Sequence, residues 1–300
     1  MKMKMLIFKK DTTNRIRKHF SPETLKKIKQ VKLDYFRLFK YSIIISGTSL
    51  LIFLIHRQIP YFNYYNLYFV ENERNKRIIE SILPIDYKVT PYLPSSLMQM
   101  IFNEVKSKPE IEYKREYIKT HDDGIISLDW VKNEEHSQNI KTPDKLLVVL
   151  HGLTGGSETS YIREIIEEFK NYSGFDIVAI NYRGISESPL ITPFIYHAGY
   201  TDDLYTAMLY IKKTKPNLRC YAIGTSMGAN IFTKLLSNHH EFDDYIKGFI
   251  SVSNPLNCLE VEKRTRGGVL DMFIIRRQVK YIEKHKEVLK EKIGKIINII

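Results

Sequence analysis

The residues of this chain with the clearest chemical potential sit in two glycine-rich turns. One is Gly224-Thr225-Ser226-Met227-Gly228, a G-x-S-x-G that follows a short apolar run and precedes a helical pattern. A serine on a sharp strand-to-helix turn carries its hydroxyl clear of the sheet at a helix N-terminus. Glycines on both sides remove side chains where strand and helix press close. That arrangement suits nucleophilic attack on an acyl carbon, with Ser226 as the nucleophile; the competing reading is a glycine-rich helix cap. The other turn is His151-Gly152-Leu153-Thr154-Gly155-Gly156, again directly after an apolar run. Acyl transfer needs backbone N–H groups aimed at a developing oxyanion. The expected donors are Leu153 and Met227, with His151, Gly152, Gly224 and Gly228 shaping the loops. A phosphate-binding loop is the rival reading here, but the stretch lacks a Gly-Lys-Ser/Thr ending. His197 and Asp202 stand at H-x4-D spacing, yet Thr201 as a helix cap with Asp202 and Asp203 in the first turn accounts for the same letters.

Such turns are useful only at the ends of strands. "KLLVVL" (145–150), "FDIVAIN" (175–181), "LRCYAIG" (218–224) and "IKGFISVS" (246–253) are continuous apolar runs of the kind buried on both faces of a parallel sheet. Helical patterns over Ser160–Tyr172, Thr201–Lys213 and Met227–Ser237 lie between them, so the alternation predicts a mostly parallel sheet with helices on both faces. Upstream, "IEYKREYIKT" and "GIISLDWV" alternate around His121-Asp122-Asp123-Gly124 and predict an antiparallel hairpin. Residues 63–107 read as irregular, with Pro84, Pro91 and Pro94 breaking any long helix before "SLMQMIFNEV".

With 43% apolar residues in 300, the chain can bury a substantial core. The net charge of +12 resembles a nucleic-acid signal until it is located: residues 1–40 hold thirteen of the 46 Lys and Arg against Asp11, Glu23 and Asp34. The charge belongs to the tail, so no nucleic-acid face is expected. After the tail comes the uncharged run Tyr41–Ile55, between Lys40 and His56-Arg57. It spans roughly 22 Å, against a hydrocarbon core of roughly 30 Å, and snorkelling flanks extend it. A transmembrane signal-anchor over 41–59 is expected, with the N-terminus cytosolic; a buried core helix and a cleaved signal peptide are the rivals. Cys220 falls in an expected core strand, which disfavours a structural disulfide with Cys258.

"LHGLTGGSETSYI", "NYRGISESPLITPFIYHAGYTDDL", "GTSMGANIFTKLL" and "SVSNP" resemble the corresponding blocks of the YheT-like, embryogenesis-associated branch of the α/β-hydrolase superfamily. "PYLPSSLMQMIF" is similar to the segment preceding that family's first strands. The resemblance implies an α/β-hydrolase fold and a serine esterase or lipase acting on phospholipid, acylglycerol or other acyl esters, with neither metal nor organic cofactor. It also implies an endoplasmic-reticulum membrane setting, and alcohol O-acyl transfer as a related activity. The expected division is a basic tail (1–40), an anchor (41–59), an N-terminal extension (60–109), a hydrolase core (110–256) and a partial helical cap (257–300). In this fold the acid and the base follow the serine on two later strands, and none is read after Pro255. His239 and His240 lie about 20 Å from Ser226 along a helix, and His285 falls in the cap. The triad acid and base are therefore unassigned, and the expectation is a chain lacking the last two strands, with an uncovered apolar edge near 246–253. The alternative is a catalytically inactive, hydrolase-like membrane protein. Oligomeric state is not legible.

Overall fold

A computed structural model describes residues 70–82, 96–132, 143–170 and 174–293, together with Thr90, Leu93 and isolated positions between 21 and 48. The chain divides into two compact units, 1–102 and 103–300. In the first, α1 (Glu73–Ile82) occupies a stretch expected to be irregular. Its start is set by Asn72, whose Oδ1 accepts from Asn75 N–H at 2.8 Å, the bond of a helix N-cap. α2 (Ser96–Val105) matches the "SLMQMIFNEV" pattern. Of the run expected to cross a membrane, residues 41–44 and 46–48 are helical, whereas 45 and 49–59 lie outside the described residues. Among the described residues no helix is long and apolar enough to cross a membrane.

The second unit is built on a six-stranded sheet in the order β1-β2-β4-β3-β5-β6. The strands are β1 (Tyr113–Lys119), β2 (Ile125–Val131), β3 (Lys145–Leu150), β4 (Phe175–Asn181), β5 (Arg219–Thr225) and β6 (Ile246–Val252). β1 and β2 form the expected antiparallel hairpin, and its turn is closed by Thr120 N–H on Gly124 O at 2.9 Å. β2 meets β4 antiparallel, and β4-β3-β5-β6 run parallel. The helices that follow are α3 (Ser160–Lys170), α4 (Asp202–Thr214), α5 (Met227–Asn238), α6 (Cys258–Thr265), α7 (Val269–Lys284) and α8 (Lys286–Ile293).

The period of two in β3 explains the layers. Leu146, Val148 and Leu150 enter one core with Leu204, Met208 and Ile211 of α4 and Ile231, Phe232 and Leu235 of α5. Leu147 and Val149 enter the opposite core with Ile162 and Ile166 of α3. A strand whose residues are buried on both sides must be apolar throughout, which is why "KLLVVL" does not alternate. At the far side β6 pairs with β5 alone among the described residues. It leaves Ile250 and Val252 exposed, at 55% and 40%.

Candidate active site

β5 delivers the chain into the turn at Ser226, and α5 starts one residue later. Ser226 takes φ 52° and ψ −119°, a region that L-residues seldom occupy. The turn is pinned to both neighbouring strands: Ser226 N–H donates to Val252 O at 2.8 Å, and Thr225 Oγ1 donates to Leu150 O at 3.1 Å. The flanking glycines are required by contact. A Cβ at Gly224 would stand 2.7 Å from Ala229 Cα, and one at Gly228 2.4 Å from His151 O. Ser226 is exposed, and although it occupies the N-cap position of α5 its side chain makes no capping bond. Among the described residues the hydroxyl therefore makes no cap bond of the kind the helix-cap reading expects.

The 151–156 loop lies against this turn, since a Cβ at Gly152 would come within 3.1 Å of Ser226 Cβ. His151 is fully buried and its imidazole pKa is pushed down to about 4, chiefly by desolvation. The ring is therefore neutral at neutral pH; its Nδ1–H donates to Gly152 O at 2.7 Å, and Nε2 has no partner among the described residues. Such a histidine shapes a turn and is poorly placed to carry protons. Farther along, Ser157 anchors the loop to the sheet: its N–H donates to Asn181 Oδ1 at 2.8 Å and its Oγ to Asp129 Oδ2 at 2.5 Å. Asp129 is itself forked by Arg115 at 2.6 and 2.7 Å. Neither Leu153 N–H nor Met227 N–H meets an acceptor among the described residues. Two free amides, one in the loop and one at a helix N-terminus beside an exposed serine hydroxyl, can stabilise an oxyanion formed there.

Three described histidines weighed for the site, His197, His239 and His285, are engaged elsewhere. His197 Nδ1 accepts from Gly199 N–H at 3.2 Å, while Asp202 lies 4.0 Å from His121, so the H-x4-D pair does not meet. His239 packs its ring on Tyr205, at 4.4 Å between centroids. His285 does fold down onto the core, but its Nε2–H donates to Gly184 O at 2.9 Å. Ser226 Oγ has no hydrogen-bonded imidazole among the described residues.

Asp202 and Asp203 do lie in the first turn of α4 as expected, but the cap and the role of Asp203 need correction. Thr201 holds the N-cap position of α4 without a side-chain cap bond. Asp203 is buried and forked by the fully buried Arg183, whose Nε donates to Asp203 Oδ2 at 2.8 Å. The same guanidinium donates to Asp122 Oδ2 at 2.8 Å. Burial pushes the Asp203 carboxyl up, whereas the hydrogen bond from Arg183 pulls Asp122 well below the usual carboxylate range. This ion cluster ties the hairpin turn to α4, and helix-dipole reasoning gave no sign of it because its members lie 20 and 61 positions apart. Sequence reading also missed Tyr161 and Tyr196, whose hydroxyls reach the 151–156 loop; the only signal was their presence in the blocks around it.

A model of the alpha/beta hydrolase fold matches residues 145–273. The embryogenesis-associated protein EMB8 of Picea glauca is 29% identical over 188 residues, which is 61% of this chain and 41% of that protein. The monoacylglycerol lipase of Saccharomyces cerevisiae is 38% identical over 112 residues, 37% of this chain and 25% of the lipase. Phospholipase ABHD3 of Homo sapiens is 35% identical over 133 residues, 44% of this chain and 32% of the phospholipase. The chain thus matches less than half the length of each of these relatives.

Proposed function

We propose that this chain, which belongs to the α/β-hydrolase superfamily, is a serine hydrolase that cleaves carboxylic esters through an acyl-enzyme on Ser226. The observation that carries the reading is the strained, exposed Ser226, with Met227 N–H directly after it and Leu153 N–H in the adjoining loop, neither of which meets an acceptor among the described residues. In the first half-reaction Ser226 Oγ attacks the ester carbonyl and the carbonyl oxygen takes negative charge beside those donors. The C–O bond to the alcohol then breaks; the alcohol leaves carrying the proton given up by Ser226 Oγ, and the acyl group stays on Ser226. In the second, water attacks the acyl-serine, and the carboxylic acid leaves with the serine restored. Similarity to a monoacylglycerol lipase and a phospholipase supports a lipid ester as the substrate class. The basic tail followed by the apolar run Tyr41–Ile55 supports a single-pass membrane anchor over 41–59, and the family resemblance supports the endoplasmic reticulum as its membrane.

A second reading, an inactive hydrolase-like binding protein, is favoured by the commitments of His197, His239 and His285 to partners other than Ser226. A fluorophosphonate probe on the full chain separates the two. Covalent labelling lost in Ser226→Ala is expected for the hydrolase, and an unlabelled native protein sinks that reading in favour of the second. Running the turnover with an added alcohol distinguishes hydrolysis from acyl transfer by the product formed.

A further inference from the structure

Three successive amides in the 152–154 turn have different fates. Gly152 N–H donates to the Tyr161 hydroxyl at 3.0 Å, and Thr154 N–H donates to the Tyr196 hydroxyl at 3.1 Å. Leu153 N–H, between them, has no acceptor among the described residues. The two tyrosines come from different elements: Tyr161 from the first turn of α3, Tyr196 from the connection before α4.

The local sequence is shaped around both contacts. A Cβ at Gly155 would stand 2.9 Å from the Tyr161 hydroxyl, so glycine there admits the ring. Thr154 takes φ 55°, a conformation that a free turn would give up and that an anchored amide holds in place. The Tyr196 ring is fixed in turn, stacked on Tyr182 at 4.7 Å and edge-on to Tyr281 of α7 at 5.7 Å. Its hydroxyl pKa is pushed up to about 12 by burial, so it remains a neutral phenol at any working pH.

We propose that Tyr161 and Tyr196 are positioning residues that clamp the peptides on either side of Leu153, so that Leu153 N–H alone is left free and faces the place where an oxyanion forms beside Ser226. The proposal rests on the reading of Ser226 as nucleophile. A peptide plane held at both neighbours cannot rotate its N–H away, which is the preorganisation that oxyanion stabilisation requires. Because neither tyrosine needs to touch the ester, the clamp should act on the transition state and leave substrate binding alone.

The test uses the full chain as wild type, Tyr161→Phe and Tyr196→Phe, each of which keeps its ring and removes only the acceptor. Tyr205→Phe, in the first turn of α4 and packed on His239, serves as the control. With a soluble short-chain nitrophenyl ester, kcat is expected to fall by roughly 10- to 100-fold with KM within about twofold, in line with the penalty for a misdirected donor. Affinity for a trifluoromethyl ketone, which forms a tetrahedral adduct on serine, should fall by the same factor. A KM rise at constant kcat, or unchanged kcat in both variants, overturns the clamp. Amide hydrogen exchange across 152–154 is read in parallel and needs no catalysis. If the wild type is inert to ester and phosphonate, the Ser226 reading fails, and the exchange data then decide the clamp: faster exchange in both variants upholds it, and unchanged protection overturns it.

Discussion

Ser226 holds φ 52° and ψ −119°, a conformation that costs an L-residue roughly 1–3 kcal/mol and glycine far less. Ser226→Gly is therefore expected to melt above Ser226→Ala by several degrees, although both lose phosphonate labelling. Equal melting temperatures would remove strain from the account of this turn. His151 makes a second claim at the same scale. Its imidazole pKa is pushed from 6.5 down to about 4 in the folded chain, so between those values the unfolded chain binds more protons. Its contribution is fully present above pH 6.5 and is lost as pH falls toward 4, on the order of 3 kcal/mol. In denaturant titrations from pH 7.5 to 4, His151→Gln should flatten this part of the profile.

Elements converge on the site through glycine contacts and buried charge. The 2.4 Å between a Cβ at Gly228 and His151 O leaves no room for even a methyl group, because both partners are backbone. Gly228→Ala should either push the 151–156 loop away from α5 or fail to fold, with a stability loss of about 1–3 kcal/mol or more. Chemical denaturation alongside phosphonate labelling measures both effects, and a variant with native stability and labelling would contradict the packing described. Arg183 joins the β1–β2 turn to α4 through Asp122 and Asp203. Arg183→Met strands two carboxylates, one of them buried, and is expected to cost roughly 3–5 kcal/mol. The strand–helix alternation behind these contacts was legible in sequence: "KLLVVL" and "FDIVAIN" coincide with β3 and β4, and α3, α4 and α5 lie within two residues of the expected spans. The helix over Glu73–Ile82 was not, because its start depends on one Asn72 side-chain bond within a stretch punctuated by prolines.

For the whole molecule, charge and apolar content are divided along the chain. The basic tail and the 41–59 run precede a unit whose Lys, Arg, Asp and Glu nearly balance. If that run is an anchor, the full chain should stay with membranes through alkaline carbonate extraction, and a chain without 41–59 should be released. Retention of both forms would assign membrane binding to another surface.

Taken alone, the sequence determined what local chemistry and periodicity can specify. Apolar runs of six or seven residues bounded by turn chemistry specify strands, which are buried in β3, β4 and β5 but not in β6, and a serine between two glycines after such a run marks a tight strand-to-helix turn. Only the tertiary structure decided the partners across the chain. Tyr161 and Tyr196 reach Gly152 and Thr154, Asp203 answers Arg183, and His285 settles on Gly184. The physical reason is that these contacts join residues 9 to 101 positions apart. They depend on strand register and on which face of the sheet each helix covers, quantities that no local pattern encodes.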